Sequence, residues 1–568
     1  IANGFFNFSI TDDLVLNISG GLEQLEITNN DYNPIIFGVG KAEVQRTSIS
    51  RFQNTNRLTY TKRLENHRIQ VDAIHEQQYI KNNGTAAESE QFFSDVTTYK
   101  NLALGGIQNN DNSFRDESLQ SFVGRANYSF RNKYLVTGTI RADGSSKFRE
   151  DQRWGVFPSG SFAWKISEEG FLQSVEVINN LKLRASYGIT GSQAISALAT
   201  RARGVVGTGY NYPFDGGTAT VGIAPSNRIA NPDLTWEETA QTNFGVDVGI
   251  WTSRVNFSFD YYKKNTTDLL LDVVLPQFVG ANTITQNVGE VENQGFDIAL
   301  NLIPVETDDL VINTSFNVSK NSNKVISLYG DAESIEVGQP YVNFLATQVR
   351  VGQPISSFQG YKFDGVYQLG EEDLASDYNR QVGDAKYVDV NEDGIISSDD
   401  ITLIGNGNAD FTWGWNTTIS YKSFDLNVLF VGSQGNDVYN FTRGIQMGLG
   451  SGIFHAVHQD FMNRWTPENP SSIPSGYDGY QLLSSQFLED GSYTRLKNIS
   501  LTYSFDNLFS DTRRSLQVYA SAENLLLITN YTGYDPEPSS SRDSDVDLGI
   551  DWNAYPVPRS FTIGVRAK

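Results

Sequence analysis

The sequence predicts an all-β chain, specifically a transmembrane antiparallel β-barrel, on three observations. The first is residues 239–262, where Ala240, Thr242, Phe244, Val246, Val248 and Ile250 alternate with Gln241, Asn243, Gly245, Asp247 and Gly249. After a turn at Thr252-Ser253 the pattern resumes, with Val255, Phe257, Phe259 and Tyr261 against Asn256, Ser258 and Asp260. Period-two alternation over two adjacent runs is an antiparallel hairpin with one greasy and one polar face. Each run is about as long as a tilted bilayer-crossing strand, and Asp and Asn on the polar face suit a wet interior. The second is that no run of about 18 apolar residues occurs, which excludes a membrane helix but not a barrel, whose strands hide hydrophobicity in alternation. The third is that short and long connections alternate along the chain, as in outer-membrane barrels with short periplasmic turns and long extracellular loops. By that rule the C-terminus is periplasmic.

Taken in order, the expected strands span 4–10, 13–23, 54–63, 66–79, 117–130, 133–143, 154–167, 180–191, 239–251 and 253–271. They continue at 287–304, 309–322, 410–421, 424–437, 493–506, 514–527 and 557–567. Tight turns are expected at Thr11 to Asp13, Leu64 to Asn66, Arg131 to Lys133, Thr252-Ser253, Val305 to Asp308 and Lys422-Ser423. Long polar segments lie between them at 24–53, 80–116, 192–238, 323–409, 438–492 and 528–556. Such a count is about 17, an odd number, from a chain that starts on a strand. An open edge in hydrocarbon leaves backbone groups unpaired, and bacterial single-chain barrels usually have even strand numbers. The topology therefore leads us to expect further strands N-terminal to Ile1.

Composition narrows the function. A formal charge of −23 argues against a nucleic-acid partner. Absence of cysteine removes disulfides, thiolate nucleophiles and cysteine metal sites. Phe and Tyr are plentiful while Met is almost missing, a profile that suits aromatic girdles at a lipid interface. No signal peptide precedes the first strand-like run (Phe6, Phe8, Ile10), so the natural N-terminus is expected elsewhere.

Seven stretches carry a resemblance: Arg141–Phe148, Trp154–Ser159, Leu181–Gly188, Asn231–Glu237, Arg464–Pro470, Arg495–Leu501 and Asn530–Glu537. Each is weak alone, but in this order and spacing the chain resembles the C-terminal barrel portion of SusC/RagA-type TonB-dependent transporters over nearly all of 1–568. The resemblance implies a 22-stranded barrel with about five strands absent here, and an N-terminal plug and TonB-contacting segment outside this chain. It implies import of oligosaccharides or peptides across a Gram-negative outer membrane. It also implies two partners, the TonB complex and a SusD-type surface lipoprotein that caps the barrel. Family members usually end on an aromatic residue, whereas this chain stops at Arg566-Ala567-Lys568.

The sharpest local motif lies within 387–400, inside the long segment 323–409. Oxygen-bearing Asp389, Asn391, Asp393, Ser397 and Asp400 fall at positions 1, 3, 5, 9 and 12 of an EF-hand-like loop. Gly394 stands at position 6, and the Ile395 carbonyl would serve at position 7. One structural calcium ion is the cofactor this pattern implies, with Asp400 replacing the usual Glu; the plainer reading is an acidic solvated turn. Candidate substrate-stacking aromatics in the loops are Tyr210, Tyr212, Tyr361, Tyr367, Tyr477 and Tyr480, which could equally pack loops on one another. His455 and His458 lack a third ligand, and Gly448-x-Gly450-x-Gly452 follows no βαβ pattern. Glu168-Glu169 sit in an expected turn, where paired carboxylates are usually just solvated. Nothing supports catalysis. The expected function is thus TonB-dependent import; the alternatives are a non-transporting surface scaffold in the outer membrane and a secreted multi-sandwich glycan binder.

Overall fold

The computed structural model describes all residues except 213–219, 276–277, 279, 281, 331, 337–345, 449–456, 476–480, 506–515, 539–545 and 568. At 37, 206–212, 220–221, 274 and 336 it describes the backbone alone. Seventeen strands belong to one antiparallel sheet. They are β1 (Ala2–Thr11), β2 (Leu14–Asn33), β3 (Lys41–Leu64), β4 (His67–Phe92), β5 (Gly105–Phe130), β6 (Tyr134–Ser145), β7 (Trp154–Lys165), β8 (Ile178–Ser192) and β9 (Glu237–Ile250). The rest are β10 (Val255–Thr267), β11 (Glu290–Glu306), β12 (Leu310–Ser327), β13 (Phe411–Tyr421), β14 (Phe424–Gln434), β15 (Tyr493–Phe505), β16 (Leu516–Thr529) and β17 (Ser560–Ala567). Each expected strand has one counterpart.

Two compact units divide the chain: 1–168, 184–242 and 266–288 form the first, the remainder the second. In the first, β1 to β7 pair each with the next. In the second, β11 to β17 do the same.

The largest difference from expectation is strand length. The β2–β3 ladder runs unbroken to Asn33↔Lys41, and β4–β5 runs to Phe92↔Gly105. Segments 24–53 and 80–116 are therefore mostly strand, not loop. Both faces are largely polar there, so the alternation that marks a strand in sequence is missing. Backbone ladders and cross-strand ion pairs such as Arg51–Glu23 (2.7 Å) and Lys41–Glu88 (2.7 Å) hold them instead. The other long segments also carry structure. Ser334–Glu336, Thr347–Arg350, Ser357–Gly360 and Thr402–Asn406 form a small sheet, and Asp437–Asn440 lies between Leu488–Asp490 and Ile550–Asp551.

Register shows which face meets lipid in the first unit. His67, Phe130, Tyr134 and Trp164 stand directly opposite one another across β4 to β7, their rings 4.9–6.3 Å apart between neighbours. A second row, His75, Phe122 and Trp154, runs along the same face with ring spacings of 4.9 and 6.0 Å. Phe122 and Phe130 are eight positions apart on β5. At ~3.4 Å per residue and a tilt of about 40°, the rows are roughly 20 Å apart along the membrane normal, near the height of an outer-membrane apolar band. Between them stand Ile69, Val71, Val136, Ile140, Val156 and Phe162. The polar lengths of β2 to β5 lie beyond the second row.

In the second unit the opposite parity is bonded together. Ser258 donates to Asp247 (3.0 Å), which also pairs with Lys182 (3.6 Å). Phe244 is exposed, and Phe259 stacks on Phe296 at 6.3 Å on the other face. Phe244, Val246, Val248, Val255, Phe257 and Phe259 thus form the lipid parity, and Asn243, Asp247, Asn256, Ser258 and Asp260 the polar one. Arginine at Val246 should destabilise the assembled protein by about 2–4 kcal/mol, and arginine at Asp247 by much less. Denaturant titration in detergent or lipid would compare them, and equal stability would mean the parity assignment is wrong.

Candidate functional site

The polar face is built by the same alternation. Thr137, Thr139, Arg141 and Asp143 share it on β6, opposite Ser161, Ser159, Phe157 and Gly155 of β7. Arg141 donates from Nε to both Asp143 oxygens (2.8 Å each) and from Nη2 to Ser121 (2.9 Å), with Glu76 at 3.3 Å from Nη1. A hollow of about 650 Å³ opens beside this cluster, with Thr139, Ser159, Tyr187 and Gln241 on its walls. Phe157 forms its floor, lying so close to Gly191 that a Cβ there would meet the ring at 2.1 Å. In the second unit a hollow of about 570 Å³ is lined by Ser258, Asp260, Asp297, Asn301, Asn317 and Thr412. Hydroxyls, amides and paired charges share these walls with apolar side chains such as Leu119, Ile189, Leu429 and Val431. In the second hollow Ser319 donates to Asp297, a hydroxyl–carboxylate pair with no histidine among the residues that line it.

The long segments of the second unit pack on a core of their own. Phe358, Tyr439, Phe441, Phe487 and Ile550 are fully buried there. Tyr439 donates to the Ser484 carbonyl (3.0 Å) and accepts from the Ser484 amide (3.1 Å). Burial pushes the Tyr387 hydroxyl up to about 12, where it accepts the Leu482 amide at 2.8 Å. Tyr361 is half-buried with its ring 5.7 Å from that of Tyr387. Tyr367 corrects the expectation of an open stacking surface. It is 1% exposed with Lys386 5.7 Å above its ring, so it serves packing. Of Tyr210 and Tyr212 only the backbone is described, in the strand Gly204–Tyr212, and Tyr477, Tyr480, His455, Gly450 and Gly452 lie outside the described residues. His458 caps a short helix, its Nδ1 accepting the Asp460 amide at 3.2 Å.

The 389–400 loop folds on its own side chains. Asp389 accepts from the amides of Asp393 (3.2 Å) and Gly394 (2.8 Å), and Asp393 accepts from the Ile395 amide (2.9 Å). Asn391 donates to Asp393 at 2.9 Å and accepts its amide at 3.1 Å. Gly394 sits at φ +83°, which only glycine adopts without strain. Asp400 is fully buried and closes the loop, accepting from Val390 (2.7 Å) and Ser397 (2.8 Å). Burial alone would raise its carboxyl, but these backbone donors outweigh burial and hold it below the usual carboxylate range. The donors suit calcium in kind. Among the described residues, however, no three acidic or histidine side chains converge on one point.

Two arrangements were missed by the sequence reading. Arg495 is 2% exposed and donates to Asp535 at 2.7 Å, with Glu537 at 3.3 Å. In the first unit Leu234 and Trp236 pack with Phe148 and Phe157, and Trp236 donates from Nε1 to the Arg153 carbonyl (3.1 Å). Both join stretches that the resemblance had already marked, yet nothing in the sequence says which stretch meets which.

One family profile matches most of the chain. Described as TonB dependent receptor-like, beta-barrel, it matches residues 3–525. The chain belongs to this family. TonB-dependent receptor P3 of Formosa agariphila is 32% identical over 591 residues, covering 100% of this chain and 58% of the relative. TonB-dependent receptor SusC of Bacteroides thetaiotaomicron is 35% identical over 464 residues, covering 79% of this chain and 43% of its own. A solved structure of the RagAB peptide transporter matches 99% of this chain and 61% of that chain, with TM-score 0.84 and 25% identity. This chain spans about half the length of the curated relatives it matches. As a member of a receptor and transporter family, the TonB-dependent barrel belongs to the outer membrane and is not an enzyme.

Proposed function

We propose that this chain is the barrel portion of an importer that takes up oligosaccharides or peptides, driven through the TonB complex and capped by a SusD-type surface lipoprotein. The supporting observation is the match of nearly the whole chain to the RagAB peptide transporter, whose fold it shares at TM-score 0.84. The polar face suits passage of hydrated solutes, and the loops of 192–238, 323–409 and 438–492 would supply most of the cap contact. In this reading the short turns and the C-terminus are periplasmic. A deletion strain grown on defined peptides or defined oligosaccharides as limiting nutrient tests import, and loss of growth on one class names the substrate. Undiminished uptake of both would favour the scaffold alternative. Gentle detergent purification of the native protein should recover a lipid-anchored chain in near-equal amount; recovery of the barrel alone would remove the cap from the proposal.

The 389–400 loop is proposed to hold one calcium ion through Asp389, Asn391, Asp393 and the Ile395 carbonyl, with Ser397 acting directly or through water. Asp400 would brace the loop ends and contribute an oxygen. The ion would neutralise carboxylates that are close in sequence and order the 323–409 segment. Millimolar calcium should slow proteolysis within this segment, and Asp393→Ala should abolish that protection. Protection indifferent to calcium would sink the assignment.

A further inference from the structure

Beyond the second aromatic row the first unit keeps one strand edge without a backbone partner. β6 accompanies β5 only as far as Leu119↔Ser145, whereas the β4–β5 ladder continues without a register shift to Glu90↔Ile107. The last link on the β6 side is Ser118, whose amide donates to Ser146 Oγ (2.9 Å) and whose carbonyl accepts the Ser146 amide (2.9 Å). Both main-chain groups of Ser118 thus point away from β4. In an antiparallel ladder this orientation repeats at every second residue, so Asp116, Phe114, Asn112, Asn110 and Gln108 turn their N–H and C=O the same way. Ile107 belongs to the other set, and its carbonyl accepts from Ser89 of β4 at 3.0 Å. Residues 106–116 are all exposed, and neither proline nor lysine blunts this edge. Among the described residues no backbone group bonds to the outward set.

The face shared by the odd-numbered residues of β5 is acidic. Asp31, Glu43 and Glu88 stand directly opposite one another across β2, β3 and β4, with Asn109 next on β5. Lys41 meets Glu88 (2.7 Å) and Glu90 (3.2 Å). Among the described residues Asp31, Glu43 and Asp111 have no cation within ion-pair reach. Like charges set directly opposite one another are destabilising, so a cation placed beside them is favoured.

We propose that this edge binds an extended basic peptide as an added antiparallel strand and, on the import reading above, which places this end outside the cell, that the peptide is cargo. The outward groups repeat at a strand's own spacing, over roughly 27 Å from Gln108 to Asp116 at ~3.4 Å per residue. A polypeptide matches that repeat of paired donors and acceptors, and an oligosaccharide does not. Main-chain bonds supply affinity and read no side chains, which suits cargo of varied sequence. Charge sets the preference. Side chains of the added strand on the acidic face pass one strand spacing from Asp111 and two from Glu88, ~5 and ~10 Å. Lysine or arginine at alternate positions complements both.

The test uses the full-length protein in mild detergent and a nonapeptide of alternating threonine and lysine, read by calorimetry and hydrogen exchange. Binding should slow exchange of the outward amides of 108–116. With the lysines on the acidic face, the threonine amides are the ones that bond to β5. N-methylation of the threonine amides should weaken binding about tenfold or more, a shift of about 1.4 kcal/mol, whereas N-methylation of the lysine amides should not. A version with glutamate for lysine should bind as weakly as the threonine-methylated peptide. Asn112→Pro removes one outward N–H and leaves the β4 ladder intact, so it should produce a similar loss. Heat-modifiable gel migration checks assembly, and Asn110→Pro replaces Asn112→Pro should the latter not assemble. Asp111→Lys should cut the preference for lysine over glutamate severalfold. Equal binding of the two methylated peptides, or of the lysine and glutamate versions, overturns the proposal. Binding is read without transport, so its outcome is independent of the import reading. Growth on the lysine peptide as sole nitrogen source, lost on deletion of the protein, supports the cargo role; growth unchanged by deletion overturns that role alone.

Discussion

Replacing Arg495 with alanine is expected to destabilise the protein by about 3–5 kcal/mol, because it leaves a buried carboxylate without its counter-charge. Asp535 is only 5% exposed, and its Oδ1 receives Arg495 Nη2 at 2.7 Å as well as the Glu537 amide at 2.9 Å. Arg495 also lies 5.3 Å from the centre of the Tyr493 ring, so alanine removes packing together with charge. A bulge follows at Leu496/Asn498 on β15. A second variant separates the two contributions. Arg495→Met keeps much of the volume but not the charge, and pairing it with Asp535→Asn should recover a large part of the loss. Unfolding monitored in detergent would measure all three, and no recovery in the double variant would mean that packing alone is at stake.

Alanine at Trp236 should cost a comparable ~3–5 kcal/mol, here through a cavity instead of a charge. Trp236 is 5% exposed, 5.2 Å from the Phe148 ring and 5.5 Å from the Phe157 ring, the latter edge-on. Its anchor is the hydrogen bond to the Arg153 carbonyl at 3.1 Å. Trp236→Phe keeps most of the apolar contact and loses that bond, so its cost should fall to roughly 0.5–1.5 kcal/mol. The ratio of the two losses, taken from thermal unfolding of the assembled protein, distinguishes packing from hydrogen bonding. A phenylalanine variant as damaged as the alanine variant would show that the indole N–H dominates.

The strand identities and the parity at 239–262 were legible because they depend on neighbours one or two residues apart. A half-buried strand must alternate, and Val246 against Asp247 or Phe259 against Ser258 states that alternation outright. The turn at 389–400 was legible in the same way, as a short spacing of oxygen-bearing side chains around Gly394; the calcium ion proposed for it is a separate matter. Only the tertiary structure decided the extents of β2 to β5, since a strand polar on both faces has no period to read. It also decided the partners of Arg495 and Trp236, which lie 40 and 83 positions away in the chain. Tyr367 carries the same lesson: its sequence neighbours do not distinguish a ring exposed on a loop from one buried under Lys386. Alternation is imposed on each strand by its two environments and leaves a local trace. Pairing between distant segments is settled by register and packing, which no short stretch of residues records.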